Sequence, residues 1–174
     1  MTSFSNPTDP SFDAGASSAR NLDTDRDGAI TQLNSLLRGE ISAAETYKMA
    51  IDKISDSDSS HQSDCQCLRD MQEDHGRACQ ALRQRIRDLG GEASDSSGAW
   101  GAWAQTVEGT ASIFGNKAAL KALKEGEEHG LKDYNEACDD VDATSAALIE
   151  SELIPAQQRH IMMLDRMISA PDAA

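Results

Sequence analysis

Along four stretches of this chain, apolar residues recur at alternating steps of three and four, and polar side chains interrupt each stripe at matching places. An α-helix turns once in 3.6 residues, so such steps return to one face, whereas a strand would need strict alternation. The first stripe is Ile30, Leu33, Leu37, Glu40, Ala44, Tyr47, Ile51 and Ile54. The second is Cys65, Leu68, Gln72, His75, Cys79, Leu82, Ile86 and Leu89, and the third is Leu120, Leu123, Glu127, Gly130, Tyr134, Ala137 and Val141. Leu153, Gln157, His160, Leu164 and Met167 form a fourth, less regular one. Four stripes can leave water only by turning inward on a common core. The predicted fold is therefore all-α, an antiparallel four-helix bundle.

The bundle is expected over residues 29–168, with helices near Ala29–Ile54, Ser63–Leu89, Asn116–Asp139 and Ala143–Ile168. Residues 1–28 are rich in Ser, Asp, Asn and Pro without periodicity and read as a disordered tail, with a short tail at 169–174. Gly90-Gly91 stops the second helix. The linker that follows leads to an apolar piece around Trp100–Phe114, read as a short extra helix. Pro155 lies inside the fourth helix and is expected to bend it, because it removes one backbone hydrogen bond.

The chain also repeats itself. Residues 39–50 and 126–137 both read G-E-x6-Y-x2-A, and Gln72-x-x-His75 returns as Gln157-x-x-His160. Two similar helix pairs imply an approximate two-fold axis, with the polar interruptions converging near it.

Those interruptions carry the chemistry. An unpaired carboxylate on a core seam costs several kcal/mol to bury. Glu40 and Glu127 become tolerable there if cations sit between them, with His75 and His160 arriving from neighbouring helices. Carboxylate with imidazole suits iron, manganese or zinc. Tyr47 and Tyr134 follow each glutamate by two turns and can ligate an ion or hold a ligating carboxylate. Gln72 and Gln157 are the weaker members of the set. The same residues can equally form a purely structural polar layer that fixes helix register.

Composition narrows the partners. Sixteen basic residues against 30 acidic ones give a net charge of −14, which repels nucleic acid and anionic membranes. No apolar run reaches the length of a membrane span and no signal-peptide layout opens the chain, so the reading is cytoplasmic. Cys65, Cys67, Cys79 and Cys138 lack disulfide or zinc-pair spacing; Cys79 and Cys138 read as small core residues.

In this pattern, and in the segments IRDLGGEASDSSGAWGAW and ALKEGEEHGLKDYNEA, residues 29–168 resemble a bacterial ferritin-like bundle family known only as a domain of unknown function. The resemblance implies a four-helix bundle with a di-iron or di-manganese centre. Ferritin-like proteins generally carry Glu-x-x-His where this chain has Gln72-x-x-His75 and Gln157-x-x-His160, which leaves only Glu40 and Glu127 to balance two divalent ions.

Other signals are slighter. Asp23-x-Asp25-x-Asp27-Gly28 matches the start of a calcium loop, but Asn34 stands where a bidentate glutamate belongs, so calcium is disfavoured against an acidic cap on the first helix. Trp100 and Trp103 read as a cover over the bundle end, with a homodimer contact as the other use of their apolar surface. His61 and His129 read as surface residues, and Met162 and Met163 as core filler. The function expected is metal binding of the ferritin-like type, in iron handling or the response to oxidative stress. The rival is a non-enzymatic structural or interaction bundle that has lost its metal.

Overall fold

The computed structural model describes residues 11–55, 62–98 and 116–170, and side-chain surroundings within 24–52, 64–98 and 117–170. Its regular structure is helical, with no strand among the described residues. Helix α1 spans Ser11–Ser55, α2 Gln62–Asp88 and α3 Asn116–Ala137. The fourth run is α4 (Ala143–Leu148), a π-helical turn (Ile149–Leu153) and α5 (Ile154–Ser169). None of the helices described is long and apolar enough to cross a membrane.

Helix α1 is already formed at Ser11, well ahead of Ala29, so residues 11–28 are not the irregular tail the missing periodicity suggested. Periodicity reports packing, not helicity. Thr24 to Gly28 are helical and exposed, and Ala29 is buried. The segment with the calcium-loop pattern is likewise helical. Asp23, Asp25 and Asp27 stand on continuous helix, whose backbone forms no ligand loop.

Side-chain pairings fix the helix directions. Tyr47 reaches Met71 while Glu40 reaches His75, so α1 and α2 are antiparallel. Glu127 meets His160 and Lys124 meets Asp165, so α3 and α5 are too. Tyr134 donates to Glu40 and Tyr47 to Glu127, which sets α1 against α3. The first and fourth runs thus point one way, α2 and α3 the other, and the chain must return along the whole length between α2 and α3. That crossover begins beside α1. Asn34 donates to the Glu92 carbonyl and accepts from the Ser94 amide, Arg38 donates to Ser94, and Ser97 donates to Glu45.

Two apolar clusters fill the interior. One gathers Tyr47, Ile51, Leu68, Met71, Leu120, Leu123 and Leu164, the other Leu33, Leu37, Leu82, Ile86, Ile149 and Leu153. Between them, on every helical run, lie the polar interruptions. Cys79 is buried and Cys138 half-buried against the second cluster. Met162 departs from expectation: it is 53% exposed, while Met163 packs against the first cluster. Trp100, Trp103, His61 and the proposed short helix lie outside the described residues.

The irregular fourth stripe has a geometric cause. Ser145, Ile149, Leu153 and Gln157 are all buried at steps of four, which would drift about 40° per step round an α-helix. The π turn, closed by the Ile154 amide on the Ile149 carbonyl, absorbs that drift and keeps the stripe inward. The disruption expected at Pro155 takes this form, with the proline in the first turn of α5, where its missing N–H costs least.

Candidate metal centre

Six residues singled out from the stripes, Glu40, Tyr47, His75, Glu127, Tyr134 and His160, come together as one buried layer. Tyr134 donates to Glu40 Oε1 at 2.5 Å and Tyr47 to Glu127 Oε1 at 2.6 Å, each tyrosine serving the glutamate of the other repeat. Tyr47 also lies 3.4 Å from Met71 Sδ. Burial, reinforced by the neighbouring glutamates, pushes both phenols well above their usual range, so they act as donors that cap carboxylates.

The imidazoles sit between carboxylates. His75 Nδ1 is 2.9 Å from Glu40 Oε2, and its Nε2 is 3.0 Å from Glu127 Oε1. His160 Nδ1 is 3.2 Å from Glu127 Oε2, and its Nε2 is 3.1 Å from Asp74 Oδ2. A neutral imidazole donates at one nitrogen only and a carboxylate only accepts, so each ring requires a second proton or a cation on the remaining edge. Burial alone would lower the His75 pKa, but Glu40 and Glu127 outweigh it and raise it to about 10. Glu127 moves the other way, to about 2, because His75 and His160 overcome the effect of burial.

The ligand atoms of His75, Glu127 and His160 lie within 4.8 Å of one another, the one such trio of metal-ligating types among the described residues. Glu40 stays outside it because it takes the opposite edge of the His75 ring. Gln72 and Gln157 are occupied elsewhere, donating to the carbonyls of Ala44 and Glu127. Gly130 makes room for the second of these, since a Cβ there would stand 2.7 Å from Gln157 Nε2. His129 is exposed, as expected.

Asp74 is the residue that the stripes did not reveal. Its position is off the seam and half-buried, yet its carboxylate reaches inward to His160 while Arg77 holds it from outside. One signal was available: the repeat puts Arg159 at the place equivalent to Asp74, so the two halves differ in charge beside their histidines.

Two cavities of about 310 Å³ reach the layer from opposite sides. The one between α1 and α3 touches Glu40, Glu127 and both tyrosines. The other, between α2 and the π-turned run, touches Glu40, Asp74, His75 and His160. The histidine edges therefore open on one side and Glu127 on the other.

A family described as a domain of unknown function, DUF2383, matches residues 28–140. The match takes in α2 and α3 whole and α1 from Gly28, and it stops before α4. Neither the curated proteins nor the solved structures hold a match to this chain.

Proposed function

The chain belongs to the DUF2383 family, and from that premise we propose that it is a ferritin-like four-helix bundle that binds a divalent transition-metal ion through His75, Glu127 and His160. The ferritin-like reading draws on the connectivity, two antiparallel helix pairs joined by one long crossover. The metal reading is carried by one observation: three buried ligand atoms within 4.8 Å, held in a layer where both edges of each imidazole face carboxylates. Protons satisfy that layer only if the rings are charged. A cation on the inner edges satisfies it with neutral rings.

Two histidines with one carboxylate suit iron, manganese and zinc. The set favours a single ion over the pair first expected, since Glu40 faces away from the trio and both glutamines are bound to backbone carbonyls. Bound iron or manganese would supply oxygen or peroxide chemistry, which would assign the protein to iron handling or oxidative protection. The chain's own part is to hold the ion dry and to cap the carboxylates with Tyr47 and Tyr134.

A second reading, a metal-free polar layer that fixes helix register, is favoured by one fact. No buried side-chain nitrogen or oxygen among the described residues lacks a hydrogen-bond partner. Elemental analysis after expression with iron, manganese and zinc supplements separates the two. About one equivalent of metal, lost in His75→Ala/His160→Ala, supports the metal site. Background metal in both proteins leaves the register layer.

A further inference from the structure

The repeat predicts a symmetrical layer, and the layer is not symmetrical. Glu40 with His75 Nδ1 is matched by Glu127 with His160 Nδ1, at 2.9 and 3.2 Å. His75 Nε2 then crosses to Glu127, but His160 Nε2 does not cross to Glu40; it turns to Asp74, at 3.1 Å. The deviation follows the sequence, because Asp74 has Arg159 as its counterpart and no second carboxylate stands there. Glu127 is thus flanked by an imidazole nitrogen from each side, and the outer edge of each ring rests on a different carboxylate.

We propose that Asp74 and Glu40 are positioning residues for the ion of the preceding section: each holds the outer N–H of one histidine, so that His75 Nε2, His160 Nδ1 and Glu127 bind the metal. This inference rests on the metal reading and revises the role of Glu40, from ligand to support. A ligating imidazole usually donates its other N–H to a carboxylate or carbonyl, which fixes the tautomer and raises the basicity of the ligating nitrogen. Here the supports are unlike. Glu40 is buried and itself fixed by Tyr134, whereas the Asp74 side chain is 24% exposed and tethered by Arg77. The two supports predict opposite tautomers: Nδ1–H on His75 and Nε2–H on His160.

The test uses the full chain labelled with 15N-histidine and loaded with zinc. Long-range 15N–1H spectra are expected to show those opposite tautomers in the wild type. Asp74→Asn and Glu40→Gln should each keep about one equivalent of zinc with affinity reduced about 10–100-fold, while Glu127→Gln should lose stoichiometric binding. Asp74→Asn should disturb the His160 signals and leave those of His75 in place. Because Asp74 is only half-buried and also paired with exposed Arg77, that variant serves even if Glu40→Gln fails to fold. Matching tautomers on the two rings, loss of zinc in a folded Glu40→Gln to the extent seen in Glu127→Gln, or unchanged affinity in Asp74→Asn would each overturn the proposal. A wild-type protein that takes up no zinc, iron or manganese would instead overturn the metal site itself, and this inference with it.

Discussion

His75 is the residue on which the metal-free layer turns, since it bridges the two buried glutamates, one on each ring nitrogen. Its pKa rises from an ordinary 6.5 to about 10 on folding. A group with a raised folded pKa stabilises fully below its unfolded value, so the His75 contribution is complete below about 6.5 and is lost as pH climbs through about 10. Glu127 falls from an ordinary 4.5 to about 2, so its contribution is complete above about 4.5 and is lost as pH drops through about 2. Metal-free protein should therefore show its highest melting temperature between about 4.5 and 6.5, with an alkaline decline from His75. Thermal melts in chelator across pH 3–10 check this, and His75→Gln should flatten the alkaline limb relative to wild type. A decline equally steep in that variant would assign the alkaline loss to other groups.

At the scale of elements, the helix ends show how much is local. Gly90 adopts φ 79°, and the amides of Gly90 and Gly91 close on the carbonyls of Arg87 and Ile86, a Schellman stop legible in the Gly-Gly pair. Asp142 caps α4 by accepting from the amides of Thr144 and Ser145, and Arg85 of α2 binds both Asp142 and the Ser145 hydroxyl. Asp142→Ala should cost about 0.5–2 kcal/mol in urea unfolding for the cap, and Arg85→Ala in that background should add less than it does alone, because the two share one network. Strict additivity would refute the coupling. The helix centres were readable because burial imposes a period. The start of α1 was not, because residues 11–28 carry no apolar stripe. The π turn was hidden for another reason: its extra residue looks like a fault in the fourth stripe until Ile149, Leu153 and Gln157 are seen buried together. Glu40, Tyr47, His75, Glu127, Tyr134 and His160 were legible from the repeat. Asp74 was not, since it reaches the layer through an inward-turned side chain rather than by its place on the face.

Over the whole molecule, two helix pairs close around the layer and each contributes half of it, so an ion held there ties together elements that unfolding separates. Only the folded chain assembles His75 and Glu127, 52 positions apart, with His160. Ligand that binds the folded state alone stabilises it by RT ln(1 + [L]/Kd), about 2.7 kcal/mol at a hundredfold excess over Kd. For a chain of this size that corresponds to a rise of about 5–11 °C in melting temperature. The net charge of −14 complicates the measurement, because any divalent ion relieves surface repulsion. Salt at 0.15 M screens that contribution, and magnesium or calcium, which prefer all-oxygen ligands, report what remains of it. Iron(II), manganese or zinc should then raise the melting temperature well beyond the magnesium control, and His160→Ala should bring the two together. An equal rise with magnesium would mean that the ions bind the acidic surface and that the buried layer holds protons alone.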